Sequence, residues 1–351
     1  MRTFTCPACA TRVYFENDTC LSCGHRLGFD ADTLTMVALE PAAPGADVFR
    51  KVGAGSTKDA VVQVRYCENA DHAACNWLVA ESDPAPLCKA CAGNRTIPNL
   101  SEPGRIEAWR EVEQAKKRLA YSLLRFGLPL DGGPDQAPPL AFDFVAQGVT
   151  GHHNGVITLD VLEADAVERE RRRQLFDEPY RSLLGHLRHE SGHYYWMLLV
   201  ERGGVIDEFR GLFGDERQDY QAALAAYYAA GAPPSWAESY VSAYASAHPW
   251  EDWAETWAHY LHMVDAVETA EASGMEPRAA GLLFGAAWPF KKYDVYRQES
   301  FDSLMERWVP LTVALNSLSR SLGHRDFYPF VISAAARAKL AFVHGLVRAG
   351  V

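Results

Sequence analysis

The chain has 351 residues, 48% hydrophobic and 23% charged, the proportions of an ordinary globular protein with one large domain and one or two small ones. A net charge of −11 excludes a general binder of nucleic acid or anionic membranes. No apolar run reaches the ~18 residues of a membrane helix, and Met1-Arg2-Thr3-Phe4-Thr5-Cys6 lacks the apolar core of a secretory signal, so a cytoplasmic location is expected.

All eight cysteines lie between Cys6 and Cys91. Without a signal segment, paired CxxC motifs point to metal binding rather than disulfides. Cys6-Pro7-Ala8-Cys9 and Cys20-Leu21-Ser22-Cys23-Gly24 have zinc-ribbon spacing, in which two knuckles each give two thiolates to one tetrahedral zinc. Arg12-Val13-Tyr14-Phe15 reads as strand and Glu16-Asn17-Asp18 as turn. So small a unit cannot bury enough core alone, so the metal is expected to supply most of its folding free energy. Strand-like pieces follow at 34–39 and 60–64. Cys67, Cys75, Cys88 and Cys91 then form a second four-cysteine set, with His72 as a substitute ligand and a buried thiol at Cys67 or Cys75 as the bland alternative. Residues 1–105 hold 10 Lys/Arg against 12 Asp/Glu with no basic run, so these modules are expected to dock protein or to serve structure, not to bind nucleic acid.

Ile106, Trp109, Val112, Leu119, Leu123 and Leu124 form the apolar stripe of a packing helix between Ser101-Glu102-Pro103 and Gly127. After a Gly/Pro loop, strands are expected at 141–145 and 155–159, with Val156 to Leu159 as a candidate sheet edge for an extended substrate. Residues 164–173 are strongly charged and read as a solvated helix or loop.

Next comes Arg188-His189-Glu190-Ser191-Gly192-His193-Tyr194-Tyr195-Trp196, with apolar residues from Tyr180 to Leu198 at helical spacing, a start at Glu178-Pro179 and a stop at Gly203-Gly204. On a helix His189 and His193 share a face, so both imidazoles can reach one zinc ion while Glu190 reaches its water. Helices are expected at 215–229 and 236–247. His248-Pro249 then starts another, on which Glu251, Ala254, Glu255 and Ala258 share a face. Two carboxylates among small alanines suit a closely packed helix that presents Glu251 to a metal and Glu255 to a ligand histidine. His248, His259 and His262 compete with Glu251 as third ligand, and His186, His152 and His153 are candidates to line a cleft. The rest reads as helical scaffold, at 301–315 and 332–347, with aromatic turns at Trp288-Pro289-Phe290 and Phe327-Tyr328-Pro329-Phe330.

His189-Glu190-Ser191-Gly192-His193 followed by Glu251-Asp252-Trp253-Ala254-Glu255 resembles the gluzincin pattern of zinc peptidases. Tyr244, seven residues before Glu251, resembles the tyrosine of lethal factor-like gluzincins. The Tyr14-Phe15-Glu16-Asn17 turn, the motif helix and His248-Pro249-Trp250-Glu251 extend the resemblance to nearly the whole of a bacterial zinc-binding metallopeptidase family with an N-terminal zinc ribbon. It implies zinc held by His189, His193 and Glu251, Glu190 as general base, Tyr244 as oxyanion donor and Glu255 orienting a ligand imidazole. The fold implied is α+β: zinc-ribbon modules, then a mainly helical zincin-like domain with a small sheet. The expected division is a ribbon at 1–30, a second cysteine-rich module at 31–104, a connecting helix and linker at 105–135 and the peptidase domain at 136–351. One catalytic and two structural zinc ions are expected, with a peptide or protein substrate, a protein partner at the ribbons and no nucleic-acid or membrane partner. The same chemistry serves an amidase or deacylase on a non-polypeptide amide, and an inactive docking scaffold is the reading from a different class.

Overall fold

The computed structural model describes residues 1–52, 63–133, 137–146, 148, 150–165, 182–275, 294–298 and 300–350. Tyr180, the start at Glu178-Pro179, the charged stretch beyond Asp165, residues 60–62 of the second strand and the turn at Trp288-Pro289-Phe290 lie outside them. The chain is α+β and divides into two compact units, one of residues 1–125, 129–132 and 138–169, the other of 126–128, 133–137 and 170–351. The described residues of 138–165, expected with the helical domain, therefore belong to the N-terminal unit.

In the N-terminal unit, β1 (Phe4–Thr5) pairs antiparallel with β2 (Arg12–Val13) in the first ribbon. A five-stranded antiparallel meander follows: β3 (Arg26–Asp30), β4 (Thr35–Pro41), β5 (Phe49–Val52), β6 (Gln63–Tyr66) and β7 (Leu78–Ala80). The two cysteine regions share one aromatic core. Phe15 packs edge-on against Phe29 at 4.8 Å, Tyr121 at 5.5 Å and Trp77 at 6.1 Å, so burial adds to metal in stabilising the ribbon. Buried Asn76 joins them further, donating to the carbonyls of Phe15 and Asn17 at 2.7 and 3.0 Å.

Helix α1 (Arg105–Phe126) buries the expected stripe at Trp109, Val112, Leu119 and Leu123, and also a charged pair, Lys116 and Glu113, 2.9 Å apart. A second sheet has the order β10 (Gly151–His153), β11 (Val156–Asp160), β9 (Ala141–Val145), β8 (Asn94–Thr96). β11 is thus not the sheet edge. It pairs antiparallel with β10 on one side and parallel with β9 on the other, because the turn at Asn154-Gly155 folds β10 back onto it.

The second unit is helical: α2 (Leu183–Trp196), α3 (Ile206–Phe213), α4 (Tyr220–Ala230), α5 (Pro249–Ala272), α6 (Phe301–Ser321) and α7 (Ala334–Ala349). Ser182 caps α2 by accepting from the Gly185 amide at 3.0 Å. The helix runs on as a π-turn over Met197–Glu201 before Gly203-Gly204. Residues 236–247 do not form the expected α-helix but two 3₁₀ turns, Trp236–Glu238 and Tyr244–Ser246. Serines there bond the local backbone instead: Ser242 Oγ accepts from the Ala245 amide and Ser246 Oγ donates to the Ala243 carbonyl. α5 is the buried centre of the unit, with α7 fastened to it by Lys339, which donates to Asp252 at 2.6 Å.

Candidate metal centres

Within the N-terminal unit, the Sγ atoms of Cys6, Cys9, Cys20 and Cys23 lie within 4.8 Å of one another, as do those of Cys67, Cys75, Cys88 and Cys91. Thiolates ~2.3 Å from a tetrahedral zinc stand about 3.8 Å apart, and the contacts Cys6–Cys23, Cys9–Cys20 and Cys75–Cys88 are 3.7, 3.6 and 3.7 Å. These are far longer than the ~2.0 Å of a disulfide, so the donor sets fit zinc. Local backbone makes the knuckles: Ala10 and Gly24, each after the second cysteine of a CxxC, have φ of 61° and 76° and return their amides to Cys6 and Cys20. In the second set the amides of Trp77 and Cys88 donate to Cys75 and Cys67 Sγ at 3.4 Å. His72 is not part of it; its ring packs on Trp109. Buried Glu113 lies 3.7 Å from Cys91 Sγ, and Lys116 is its counter-ion.

In the helical unit, His189, His193 and Glu251 each offer a ligand atom within 4.8 Å of the others, and all are buried. The crossing of α2 and α5 brings them together. Gly192 faces Ala254, where an added Cβ would stand 2.9 Å from the Ala254 Cα. Trp253 Nε1 donates to the Gly192 carbonyl at 2.8 Å and Trp257 Nε1 to Ser191 Oγ at 3.1 Å. Glu251 Oε2 stands 3.0 Å from His189 Nε2, and Oε1 3.6 Å from His193 Nε2. Those separations bracket the ~3.3 Å between ligands of a tetrahedral zinc with arms of ~2.0–2.1 Å.

The surroundings fix the ligands. His189 Nδ1 stands 2.7 Å from Glu255 Oε1, and Ser242 donates to Glu255 Oε2 at 2.5 Å. A proton on Nδ1 facing Glu255 leaves the Nε2 lone pair for a metal. Burial works against charge on His189, but Glu251 and Glu255 outweigh it and hold the imidazole well above its usual pKa. Burial also opposes charge on Glu251, yet His193 and His189 keep its carboxyl down at about 2. Two carboxylates converging on buried imidazoles make a site whose electrostatics call for a cation, and the nitrogen and oxygen donors suit zinc.

Glu190 is buried on α2 between the histidines. The Tyr244 ring lies 5.9 Å from that of His189, and burial, then the charge of Glu251, keeps its phenol neutral by raising its pKa. The competing histidines are engaged elsewhere. His248 caps α5, accepting from the Trp250 amide at 3.1 Å; His259 Nδ1 meets the Tyr328 hydroxyl at 2.6 Å; His262 meets Arg188. His152 and His153 are on β10 in the other unit, where His152 accepts from the Gly155 amide, and His186 is half-buried on α2.

Two residues here were not foreseen. Ser242 holds Glu255, and Tyr220 donates to Glu251 Oε1 at 2.7 Å. Tyr220 had one signal: it recurs with Tyr227 at a seven-residue spacing, on one face of a helix without a charged residue. Ser242 had none beyond its nearness to Tyr244.

A family model described as "Putative zinc-binding metallo-peptidase" matches residues 105–346, and a zinc-ribbon domain model matches 3–102, across both cysteine sets. Uncharacterized proteins of Mycobacterium tuberculosis and Mycobacterium bovis are 41% identical over 354 residues, covering 99% of this chain and 95% of theirs. No solved structure matches. Among the described residues no helix is long and apolar enough to cross a membrane.

Proposed function

The chain belongs to the zinc-binding metallopeptidase family and carries an N-terminal zinc ribbon, and from that premise we propose a peptidase of the gluzincin type that hydrolyses peptide bonds at the His189, His193 and Glu251 centre. The observation that carries this reading is the convergence of two imidazoles and a carboxylate from crossing helices, with Glu190 between the histidines. Zinc bound there would bring the pKa of its water towards ~7 and polarise the scissile carbonyl. Glu190 takes the proton of the attacking water and passes it to the leaving amine. Tyr244, kept neutral, donates its hydroxyl hydrogen to the carbonyl oxygen as negative charge develops on it. Glu255, steadied by Ser242, holds His189 in the tautomer that points its lone pair at the metal.

The full complement in this reading is three zinc ions, one at this centre and one in each cysteine set. The cysteine modules hold the N-terminal fold and offer a docking surface for a protein partner rather than for nucleic acid. Incubation of the purified full-length protein with a peptide library tests the activity. Cleavage is expected, lost on removal of metal and restored by zinc; cleavage that survives complete metal removal would overturn the proposal.

A further inference from the structure

The first residue of α4 touches the metal-binding carboxylate. Tyr220 donates to Glu251 Oε1 at 2.7 Å, with its ring 5.2 Å from that of His248 and 5.9 Å from that of Trp250. Core packing does not explain its position, since no residue of α4 is buried.

The two oxygens of Glu251 are thereby made unequal. Oε1 has one of its two lone pairs engaged by the phenol, which weakens it as a donor to a metal. Oε2 is buried 3.0 Å from His189 Nε2, on the side where the three candidate ligand atoms converge. A carboxylate that used both oxygens would fill the position a catalytic zinc keeps for water; one already tied to a donor offers a single oxygen. We propose, on the reading that this centre is a catalytic zinc site, that Tyr220 is a positioning residue that makes Glu251 a one-oxygen ligand through Oε2, and so sets the affinity and coordination number of the bound metal. α4 is then the carrier of a metal-tuning hydroxyl.

Tyr220→Phe in the full-length protein removes that hydroxyl and leaves the ring. The readouts are zinc retention at this centre against a graded chelator, and the visible spectrum of cobalt placed there with zinc kept in the cysteine sets. The expected results are a loss of roughly ten- to hundred-fold in affinity and a cobalt spectrum altered by the change in ligand number. A merely structural role moves neither. Unchanged affinity together with an unchanged cobalt spectrum would overturn the proposal. Glu251→Ala is the reference and should lose the zinc at this centre. If it keeps full zinc content, the centre itself is not the metal site, and the underlying reading fails independently of Tyr220.

Discussion

His189 lies between Glu255, 2.7 Å from its Nδ1, and Glu251, 3.0 Å from its Nε2. In the metal-free protein the two carboxylates raise its pKa well above the usual value. Protonation there stabilises the metal-free fold fully below the unfolded pKa of about 6.5, and this contribution is lost as pH rises through the raised folded value. Zinc must displace the same proton, so its affinity at this centre should climb as pH rises from about 6 towards 8. Competition with a chelator at several pH values checks this; pH-independent affinity would contradict it. Tyr244 makes a separate prediction. Tyr244→Phe should lower kcat by roughly 10²–10³ through loss of an oxyanion donor while zinc content stays the same, and turnover at the parent rate would remove it from the mechanism. At this scale the sequence was legible where spacing along one helix decides geometry, as for His189 and His193. It was silent where a contact closes across the fold, as in Tyr220 to Glu251, 31 residues apart.

The convergence of His189, His193 and Glu251 is a product of how closely α2 and α5 approach. Gly192 is the permissive residue: a Cβ there would meet Ala254 Cα at 2.9 Å and the Trp257 ring at 3.1 Å. Gly192→Ala should therefore force the helices apart, cost on the order of 1–3 kcal/mol and weaken zinc binding, since His189 and Glu251 sit on opposite sides of the crossing. Thermal unfolding with metal analysis tests both effects, and parental stability with full zinc would contradict the packing argument. Ala254 and Ala258, on the same face as Glu251 and Glu255, announced this close face in the sequence. By contrast, 236–247 reads as helix from composition but breaks into 3₁₀ turns, because serine hydroxyls compete for the backbone. β11 failed as an edge because nothing in its composition tells one neighbour from two.

For the whole molecule, local motifs fixed the type of each part but not the grouping of parts. Cysteine spacing and the His-Glu-x-x-His motif pointed to three donor clusters, and the fold brings each of them together, in that order along the chain. Yet β9, which precedes the motif in sequence, pairs with β8 of the second cysteine region. Strand pairing is decided by long-range partners that periodicity does not carry. In the proposed function Glu190 acts as a base at a zinc centre that it does not itself hold. The direct measurement is zinc content and peptide-library cleavage for Glu190→Gln beside the parent. Three zinc ions per chain are expected in both proteins, with cleavage in the variant reduced by at least about 10²-fold. Cleavage at the parent rate, or only two zinc ions in the fully folded parent, would contradict the proposed function.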